Sequence, residues 1–173
     1  VHGIQRRLNL ISKIGVHPDG GQMEIFFNAT DLRDANRFLE QKSLSPQNYI
    51  YINIGASGAH RRWPEDRFFE LAEKISLGRY PVFSENEFDK AAAIVSKLDL
   101  LFTPDTSFVH IASAFEVPMF GLYVKYKTTD IIWYPFKSKY EAVITAEPNL
   151  VNLSFDKVIK KFIPFFESLM IKS

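Results

Sequence analysis

The sequence predicts an α/β fold in which a parallel β-sheet is covered by helices on both of its faces. Short apolar runs alternate strictly with amphipathic helical segments from residue 49 onwards, which is typical of this architecture. The runs within 49–56 and 98–105 contain consecutive apolar residues, as expected for strands that are buried on both faces of the sheet. Sheets of this kind bind ligands at the loops that follow the carboxyl ends of their strands.

The composition excludes several classes of protein. Hydrophobic residues make up 46% of the 173 residues and charged residues 24%, which argues against disorder and corresponds to about one domain. Lys and Arg number 21 and Asp and Glu 20, so the net charge of +1 provides no basic field for nonspecific nucleic-acid binding. The chain has no cysteine, which excludes disulfides, thiolate metal sites and thiol catalysis. No run reaches the roughly 18 apolar residues of a membrane span.

The first 30 residues are expected to contain a helix and a connector. Apolar residues recur every three or four positions over 1–15 and predict an amphipathic helix that ends at Gly15. The connector over 16–30 includes an alternating segment, 23–27, that is expected to form a short edge strand. Because the chain begins with Val1 rather than methionine, we expect it to be a piece of a longer protein.

Capping residues and apolar stripes predict the other elements. Thr30 or Asp31 is expected to cap a second helix that ends near Gln41, and Pro64 marks the first turn of a third helix that ends at Gly78. Further helices are predicted over 88–98, after a capping box formed by Ser84 and Glu87, over 107–115, and over 155–170, where Ser154 is the cap and Pro164 should bend the helix. The predicted strands cover 49–56, 98–105, 119–123 and 142–146, and residues 80–83 form a brief run between two predicted helices.

The loop over 55–64 is the first candidate for chemistry. Its small residues let a ligand approach the backbone, and Ser57 can donate a hydroxyl hydrogen bond. Arg61 and Arg62 place two cations beside the beginning of a helix, which makes a phosphate cradle plausible. The alternative is a flexible surface turn with two solvated arginines. The glycine spacing matches neither a dinucleotide fingerprint nor a P-loop.

The loop over 103–110 is the second candidate, because it also leads from a strand into a helix. Asp105 or Thr106 would cap that helix, and the backbone N–H groups around Thr106 and Ser107 would face a ligand above the strand. His110 falls on the same side of the helix as the cap. The alternative is that Asp105 only caps and His110 packs against the sheet. A metal site is not expected, because no second ligand stands four residues after His110.

Aromatic residues are concentrated in the segment 125–140, among several lysines. They could stack on a base or a sugar, or they could form a packed loop, and we favour packing for most of them. The edge near Trp133 and Pro135 is the better candidate for ligand contact. The aromatic residues of the segment are Tyr126, Trp133, Tyr134, Phe136 and Tyr140.

Two segments of the chain resemble motifs of glycosyltransferase family 9, the lipopolysaccharide heptosyltransferase family. INIGASGAHRRWPEDRFFELAEKI, over 52–75, is similar to the family's "nPGA, then K-x-W-P, then F-x-x-L" element. LDLLFTPDTSFVHIASAFEVPMFGLY, over 98–123, is similar to its element built around D-T-G-x-x-H-x-A. The motifs agree in order and in their strand-to-helix contexts, and together they cover about residues 50–123.

The resemblance implies a fold and a set of site residues. The family has the GT-B architecture, in which two Rossmann-like domains face each other across a cleft, and the C-terminal one holds the sugar-nucleotide donor. Residues 49–173 would be this donor-binding domain, and residues 1–48 an interdomain or exit segment. Donor contacts would come from Asp105, Thr106, Ser107 and His110, with Ser57 at the small hydroxyl position and Arg61 or Arg62 neutralising the leaving phosphate.

The resemblance implies an inverting, metal-independent transfer of a sugar from an ADP-sugar to a lipopolysaccharide-type glycolipid. Heptose is the sugar that the resemblance favours. No cofactor is expected besides the ADP-sugar substrate, and the parent enzyme would be cytoplasmic, at the inner face of the bacterial inner membrane. The N-terminal acceptor domain, which would carry the catalytic base, is not in this chain, so the isolated chain should be inactive.

Three features depart from the family pattern. Ser107 stands where the family usually has glycine, and arginine replaces the commoner lysine before Trp63. One strand and helix unit is also expected but not found between Gly78 and Ser84. These departures keep open the alternative of a non-catalytic nucleotide-binding or interaction module with the same fold. An epimerase with the same architecture is a weaker alternative.

Overall fold

A five-stranded, fully parallel sheet forms the centre of the computed structural model, which describes residues 2–18, 20–41, 50–76, 82–83, 88–126 and 132–170. The strands are β1 (Ile50–Asn53), β2 (Val82–Phe83), β3 (Leu100–Pro104), β4 (Met119–Val124) and β5 (Tyr140–Thr145). The helices are α1 (Gly3–Ser12), α2 (Ala29–Gln41), α3 (Glu65–Ser76), α4 (Phe88–Val95), α5 (Phe108–Ala114) and α6 (Phe155–Met170). The predicted α/β fold with a parallel sheet is therefore confirmed.

The strand order β2-β1-β3-β4-β5 creates a topological switch point between β1 and β3. The chain leaves β1 through α3 towards β2 at one edge, whereas it leaves β3 through α5 towards β4 on the opposite side. Because these two connections run in opposite directions, a crevice opens between the carboxyl ends of β1 and β3. Both loops that the sequence singles out lead from these two strands.

The sheet separates two apolar layers. On one face α3 and α6 pack against the sheet around Phe102, which contacts Phe120 at a ring-centroid distance of 5.3 Å. On the other face α2, α4 and α5 cover Tyr51 and Leu101, and α2 packs directly against α4. Every described residue of β3 and β4 is buried, which explains the consecutive apolar residues seen in the sequence.

The segment 23–27 does not form the expected edge strand. Its burial alternates, but the segment pairs with no described strand of the sheet. Ile25 and Phe27 pack instead against the helical layer, where the Phe27 and Phe115 rings lie 5.7 Å apart, and Phe26 is 82% exposed. An alternating pattern requires only an extended chain with one buried face, and here that face lies on helices.

The cap of α2 also differs from the prediction. Asn28 is the N-cap, because its Oδ1 accepts hydrogen bonds from the N–H groups of Thr30 at 2.8 Å and Asp31 at 3.0 Å. In turn, the Oδ2 of Asp31 accepts a hydrogen bond from the N–H of Asn28 at 3.0 Å. The pair forms a reciprocal capping box, in which Asp31 takes the third helical position rather than the cap.

Other predicted boundaries are confirmed or fall outside the described residues. α1 ends as expected, since Gly15 has a φ of +83° and the N–H of Val16 donates to the carbonyl of Ile11. The helix stop at Gly78 and the capping box of Ser84 and Glu87 lie outside the described residues. Between α3 and α4 the described residues form only the two-residue strand β2, and α6 continues through Pro164 as one helix.

Candidate functional site

Asn53 joins the two candidate loops at the crevice. It is the last residue of β1 and is only 2% exposed. Its Nδ2 donates to the Oγ1 of Thr103 at 3.0 Å and to the carbonyl of Gly55 at 3.2 Å, while its Oδ1 accepts from the N–H of Gly55 at 3.0 Å. Asn53 is not among the site residues predicted from the sequence, although an amide side chain at the end of an apolar strand is a signal for such a residue.

Thr106 shapes the start of the second loop. Its Oγ1 accepts a hydrogen bond from the N–H of Phe108, the first residue of α5, at 3.3 Å. The N-cap position is Ser107, whose side chain makes no capping bond, so the prediction that Asp105 or Thr106 caps α5 is wrong. The Oγ1 of Thr106 lies 3.2 Å from the Oγ1 of Thr103 and 3.4 Å from the Nδ2 of Asn53. The turn that leads into α5 is thus connected to the end of β1 through the polar side chains of Asn53, Thr103 and Thr106.

Arg61 bridges the two loops on the other side of the crevice. A short 3₁₀ turn, Ala59–Arg61, directs its guanidinium back over the end of β1. Nη2 donates to the Oγ of Ser57 at 2.8 Å, and Nη1 donates to the backbone carbonyl of Asp105 at 2.9 Å. Nη1 also lies 3.8 Å from Oδ2 of Asp105. A planar guanidinium can make both bonds at once, so Arg61 is held rigidly.

Arg62 is anchored differently from its neighbour. Its Nε donates to the carbonyl of Ala56 at 2.9 Å, and its side chain lines the crevice. The following Trp63 is buried and donates from Nε1 to the carbonyl of Leu153 at 2.8 Å, which fixes the beginning of α3 against the loop before α6. Glu65 is the one acidic residue among the described residues that line the crevice.

The crevice is a cleft of about 700 Å³ at the ends of β1 and β3. Its volume falls within the range of small-molecule sites in proteins. Five residues predicted from the sequence line it, and they are Ser57, Arg61, Arg62, Thr106 and Ser107. Asp105 does not line the cleft itself, but its carboxylate lies 3.8 Å from Arg61, which does. His110 does not line the cleft either. The assignment of these side chains to a ligand stays a prediction.

His110 lies behind the cleft, against an aromatic segment. Its ring meets that of Trp133 edge to face, with the centroids 6.1 Å apart. Burial lowers the pKa of His110 below its usual value, although the negative charge of Asp105 opposes this effect and His2 adds to it. The surroundings of His110 therefore favour the neutral form of its ring. It separates Asp105 from Trp133 rather than facing the cavity between the two loops.

The pKa of Asp105 is shifted upwards, whereas that of His110 is shifted downwards. Burial raises the pKa of Asp105 above its usual value, while the positive charges of Arg61 and, more weakly, His110 and His60 lower it. The environment therefore disfavours the ionised carboxylate on balance, even beside Arg61. Perturbed acids are common at functional sites, which is consistent with a site here.

The described residues contain neither a metal-binding cluster nor a membrane-spanning helix. No group of three His, Cys, Asp or Glu side chains in the described part of the chain is close enough to hold one metal ion. None of the helices within the described ranges combines the length and the apolar character needed to cross a bilayer.

Several solved structures resemble the chain. A glycosyltransferase family 9 protein from Veillonella parvula has a TM-score of 0.77 and 19% identity over 99% of this chain and 61% of its own. The E. coli ADP-heptose lipopolysaccharide heptosyltransferase II has a TM-score of 0.61 and 17% identity over 86% of this chain and 54% of its own. The E. coli heptosyltransferase WaaC, solved with ADP, has a TM-score of 0.52 and 16% identity over 78% of this chain and 48% of its own.

These likenesses show the fold, which is the predicted Rossmann-like layer of GT-B heptosyltransferases. The chain spans about half to three fifths of the length of these relatives. No curated protein sequence matches it. Residues 76–163, just over half of the chain, match the sequence model of glycosyltransferase family 9 (heptosyltransferase), and this match includes the loop after β3. The chain belongs to glycosyltransferase family 9.

Proposed function

We propose that the cleft at the ends of β1 and β3 binds the diphosphate of an ADP-sugar, and that the chain is the donor-binding part of a glycosyltransferase. The parent enzyme would transfer heptose, with inversion, to a lipopolysaccharide-type acceptor. The observation that carries the proposal is the placement of Arg61, whose guanidinium bonds to both Ser57 and the backbone of Asp105 across the cleft. Family 9 membership supports a transferase, and one similar structure was solved with ADP.

The charges of the cleft fit a diphosphate. Arg61 and Arg62 supply two cations, and guanidinium groups bind phosphate oxygens through paired hydrogen bonds. The hydroxyl groups of Ser57, Thr106 and Ser107 add uncharged donors around the same space. Glu65 would repel a phosphate, so we place the diphosphate nearer to Arg61 and Ser107 than to the first turn of α3.

The same groups would support the departure of the diphosphate. When the bond between sugar and phosphate breaks, negative charge accumulates on the leaving oxygen, and cations held in place stabilise this charge without reorganising. Arg61 is held by two hydrogen bonds before any ligand arrives. In this proposal the two arginines neutralise the leaving group, so the transfer requires no metal ion.

The remaining parts of the reaction would come from outside this chain. In this proposal the catalytic base and the acceptor site belong to an N-terminal domain of the parent enzyme, and the glycolipid acceptor would meet that enzyme at the cytoplasmic face of the membrane. We therefore propose that the 173-residue chain binds the donor but does not transfer the sugar. Sugar transfer by the purified chain alone would contradict this division of roles.

Calorimetric titration of the purified chain with ADP tests the donor site. We expect saturable binding that Arg62→Ala weakens by about tenfold or more, since a phosphate loses a charged hydrogen-bond donor. Arg33→Ala is the matched control, because Arg33 is an exposed arginine on α2 that donates to Thr30. Equal effects of the two variants would contradict the proposal. A complete lack of ADP binding, with Asp105→Ala indistinguishable from the wild type, would favour the interaction module.

A further inference from the structure

A second cavity, of about 710 Å³, lies apart from the donor cleft. It opens between the first turns of α1 and the segment 132–140, on the face of the sheet that α5 covers. The residues that give it its chemical character are His2, Arg6, Arg7, Trp133, Lys137 and Tyr140. None of them belongs to the donor cleft.

The cavity combines positive charge with aromatic surface. Arg6, Arg7 and Lys137 line it, and no Asp or Glu is among its described lining residues. The guanidinium carbon of Arg7 lies 5.6 Å from the centroid of the Trp133 ring, so this cation rests on an aromatic face. A cation in this position keeps hydrogen-bond donors for a ligand, because an aromatic ring accepts charge without using the guanidinium N–H groups in the plane.

The aromatic wall is also partly open to solvent. Tyr140 is 41% exposed and stacks on Tyr134 with the ring centroids 5.5 Å apart. Trp133 is half-buried, because the His110 ring meets it from the side of the donor cleft. The contact between His110 and Trp133 links the wall of the second cavity to α5, the helix that follows β3.

The walls of the cavity are held together before any ligand binds. The Nε2 of His2 donates to the carbonyl of Tyr134 at 2.8 Å, and its Nδ1 accepts from the N–H of Ile4 at 3.2 Å, in the neutral tautomer that satisfies both bonds. The N–H of Phe136 donates to the Oγ of Ser113 at 2.9 Å, which ties the aromatic segment to α5. The site is thus formed by two segments with fixed positions.

Gly3 is part of this construction. A Cβ atom added at Gly3 would lie 2.6 Å from Cζ3 of Trp133, which is closer than real contacts allow. The lack of a side chain lets the backbone of α1 lie directly against the Trp133 ring. A change at Gly3 therefore alters the shape of the cavity without removing any of its charges.

We propose that this cavity binds a saccharide that carries a phosphate or a carboxylate group. The arginines fit the anionic group, because a guanidinium offers paired donors to planar or tetrahedral oxyanions. Tyr140, which is 41% exposed, fits the apolar face of a sugar ring, because aromatic residues offer flat apolar surface with a polar edge. Trp133 is already in contact with Arg7 and the backbone of α1, so it positions the guanidinium beside that surface. The inference does not depend on ADP binding in the cleft, since the two cavities share no lining residue.

Calorimetric titration of the whole chain tests this site with four probes: glucose 6-phosphate, glucuronate, glucose and inorganic phosphate. We expect glucose 6-phosphate or glucuronate to bind at least tenfold more tightly than glucose or inorganic phosphate. Whichever of these two acidic sugars binds more tightly shows whether the site prefers a phosphate or a carboxylate. Arg7→Ala should weaken that binding at least tenfold and leave ADP binding unchanged. Arg33→Ala, which removes an exposed arginine elsewhere, should change neither titration.

Gly3→Ala provides a second variant that keeps every charge. It should weaken the acidic sugar at least threefold while ADP binding is unchanged. The proposal is overturned if glucose or inorganic phosphate binds as tightly as the stronger of the two acidic sugars, if neither acidic sugar binds, or if Arg7→Ala has no effect. It is also overturned if ADP displaces the acidic sugar. Failure of ADP binding alone would contradict only the proposed donor site.

Discussion

The side chain of Asn53 donates a hydrogen bond of 3.0 Å to Thr103, and this bond joins the carboxyl ends of β1 and β3. The two residues are 50 positions apart in the sequence. Because the connections that follow these strands run in opposite directions, the bond lies at the floor of the crevice that divides them. The cleft therefore has a buried polar floor and a bridge of Arg61 above it.

Replacing Asn53 tests the importance of this floor. Asn53→Ala removes the partner of the Gly55 N–H and of the Thr103 hydroxyl in a buried place, so we expect a loss of about 1–3 kcal/mol in the free energy of unfolding. Urea denaturation measures this loss. Asn9→Ala is the control, because Asn9 lies on the exposed face of α1, and its effect should be below about 0.5 kcal/mol. Similar values for both variants would rule out the proposed role.

Arg61 should separate the effect of charge from that of geometry. Arg61→Lys keeps the positive charge but cannot hold Ser57 and the carbonyl of Asp105 in one planar fork. We expect the free energy of unfolding to fall by about 1 kcal/mol, from one lost hydrogen bond. ADP affinity should stay within about threefold, whereas Arg61→Ala should lower it by about tenfold or more.

The matched control for this substitution is Arg33→Lys on the exposed surface of α2. It should leave both the urea midpoint and the ADP titration unchanged. If Arg61→Lys is as stable as the wild type, the two hydrogen bonds of Arg61 do not hold the loops together.

Ser107 tests how much space the cleft leaves for a phosphate. It has a φ of −58° and a ψ of −24°, so its backbone does not require glycine, and its side chain lines the cleft. Ser107→Gly should lower the free energy of unfolding by about 0.5–1 kcal/mol through the entropy of the unfolded chain. We expect tighter ADP binding, because the backbone can then approach a phosphate more closely. Weaker ADP binding would show that the serine hydroxyl contacts the ligand.

His110 should make stability depend on pH. Burial holds the pKa of His110 below its usual value of 6.5, so the folded state prefers the neutral ring. The stabilisation is complete above pH 6.5 and is lost as the pH falls through the lowered pKa. We therefore expect acidification from pH 7.5 to below pH 6.5 to lower the stability of the wild type more than that of His110→Gln. Thermal unfolding at both pH values measures the two losses.

Titration of Asp105 changes the stability of the protein with pH in the direction opposite to that of His110. Its pKa is raised by burial, so its contribution to stability is lost as the pH rises through the raised pKa. Asp105→Asn removes this opposing contribution, and the acid-side loss of stability caused by His110 should become steeper on that background. An identical pH profile for the wild type and His110→Gln would contradict the burial of His110.

Some parts of the site could be predicted from the sequence because they depend on neighbouring residues. Pro64 with the acidic residues after it indicated the start of α3, and the small residues after β1 indicated a ligand loop. The edge strand over 23–27 was wrong for a related reason. The alternation indicates that one side of the segment is buried, but the sequence does not say whether that side meets a sheet or a helix.

The amino-acid sequence alone determined the alternating α/β architecture, the two loops that carry Arg61 and Thr106, and the family to which the chain belongs. Periodicity, caps and motifs depend on residues a few positions apart, which is why they are readable before folding. The tertiary structure decided that Asn53 and Arg61 join both loops, that His110 faces Trp133 rather than the cleft, and that a second cavity forms beside α1. Each of these relationships joins residues more than 20 positions apart, so the order of the strands and the packing of the helices bring them together.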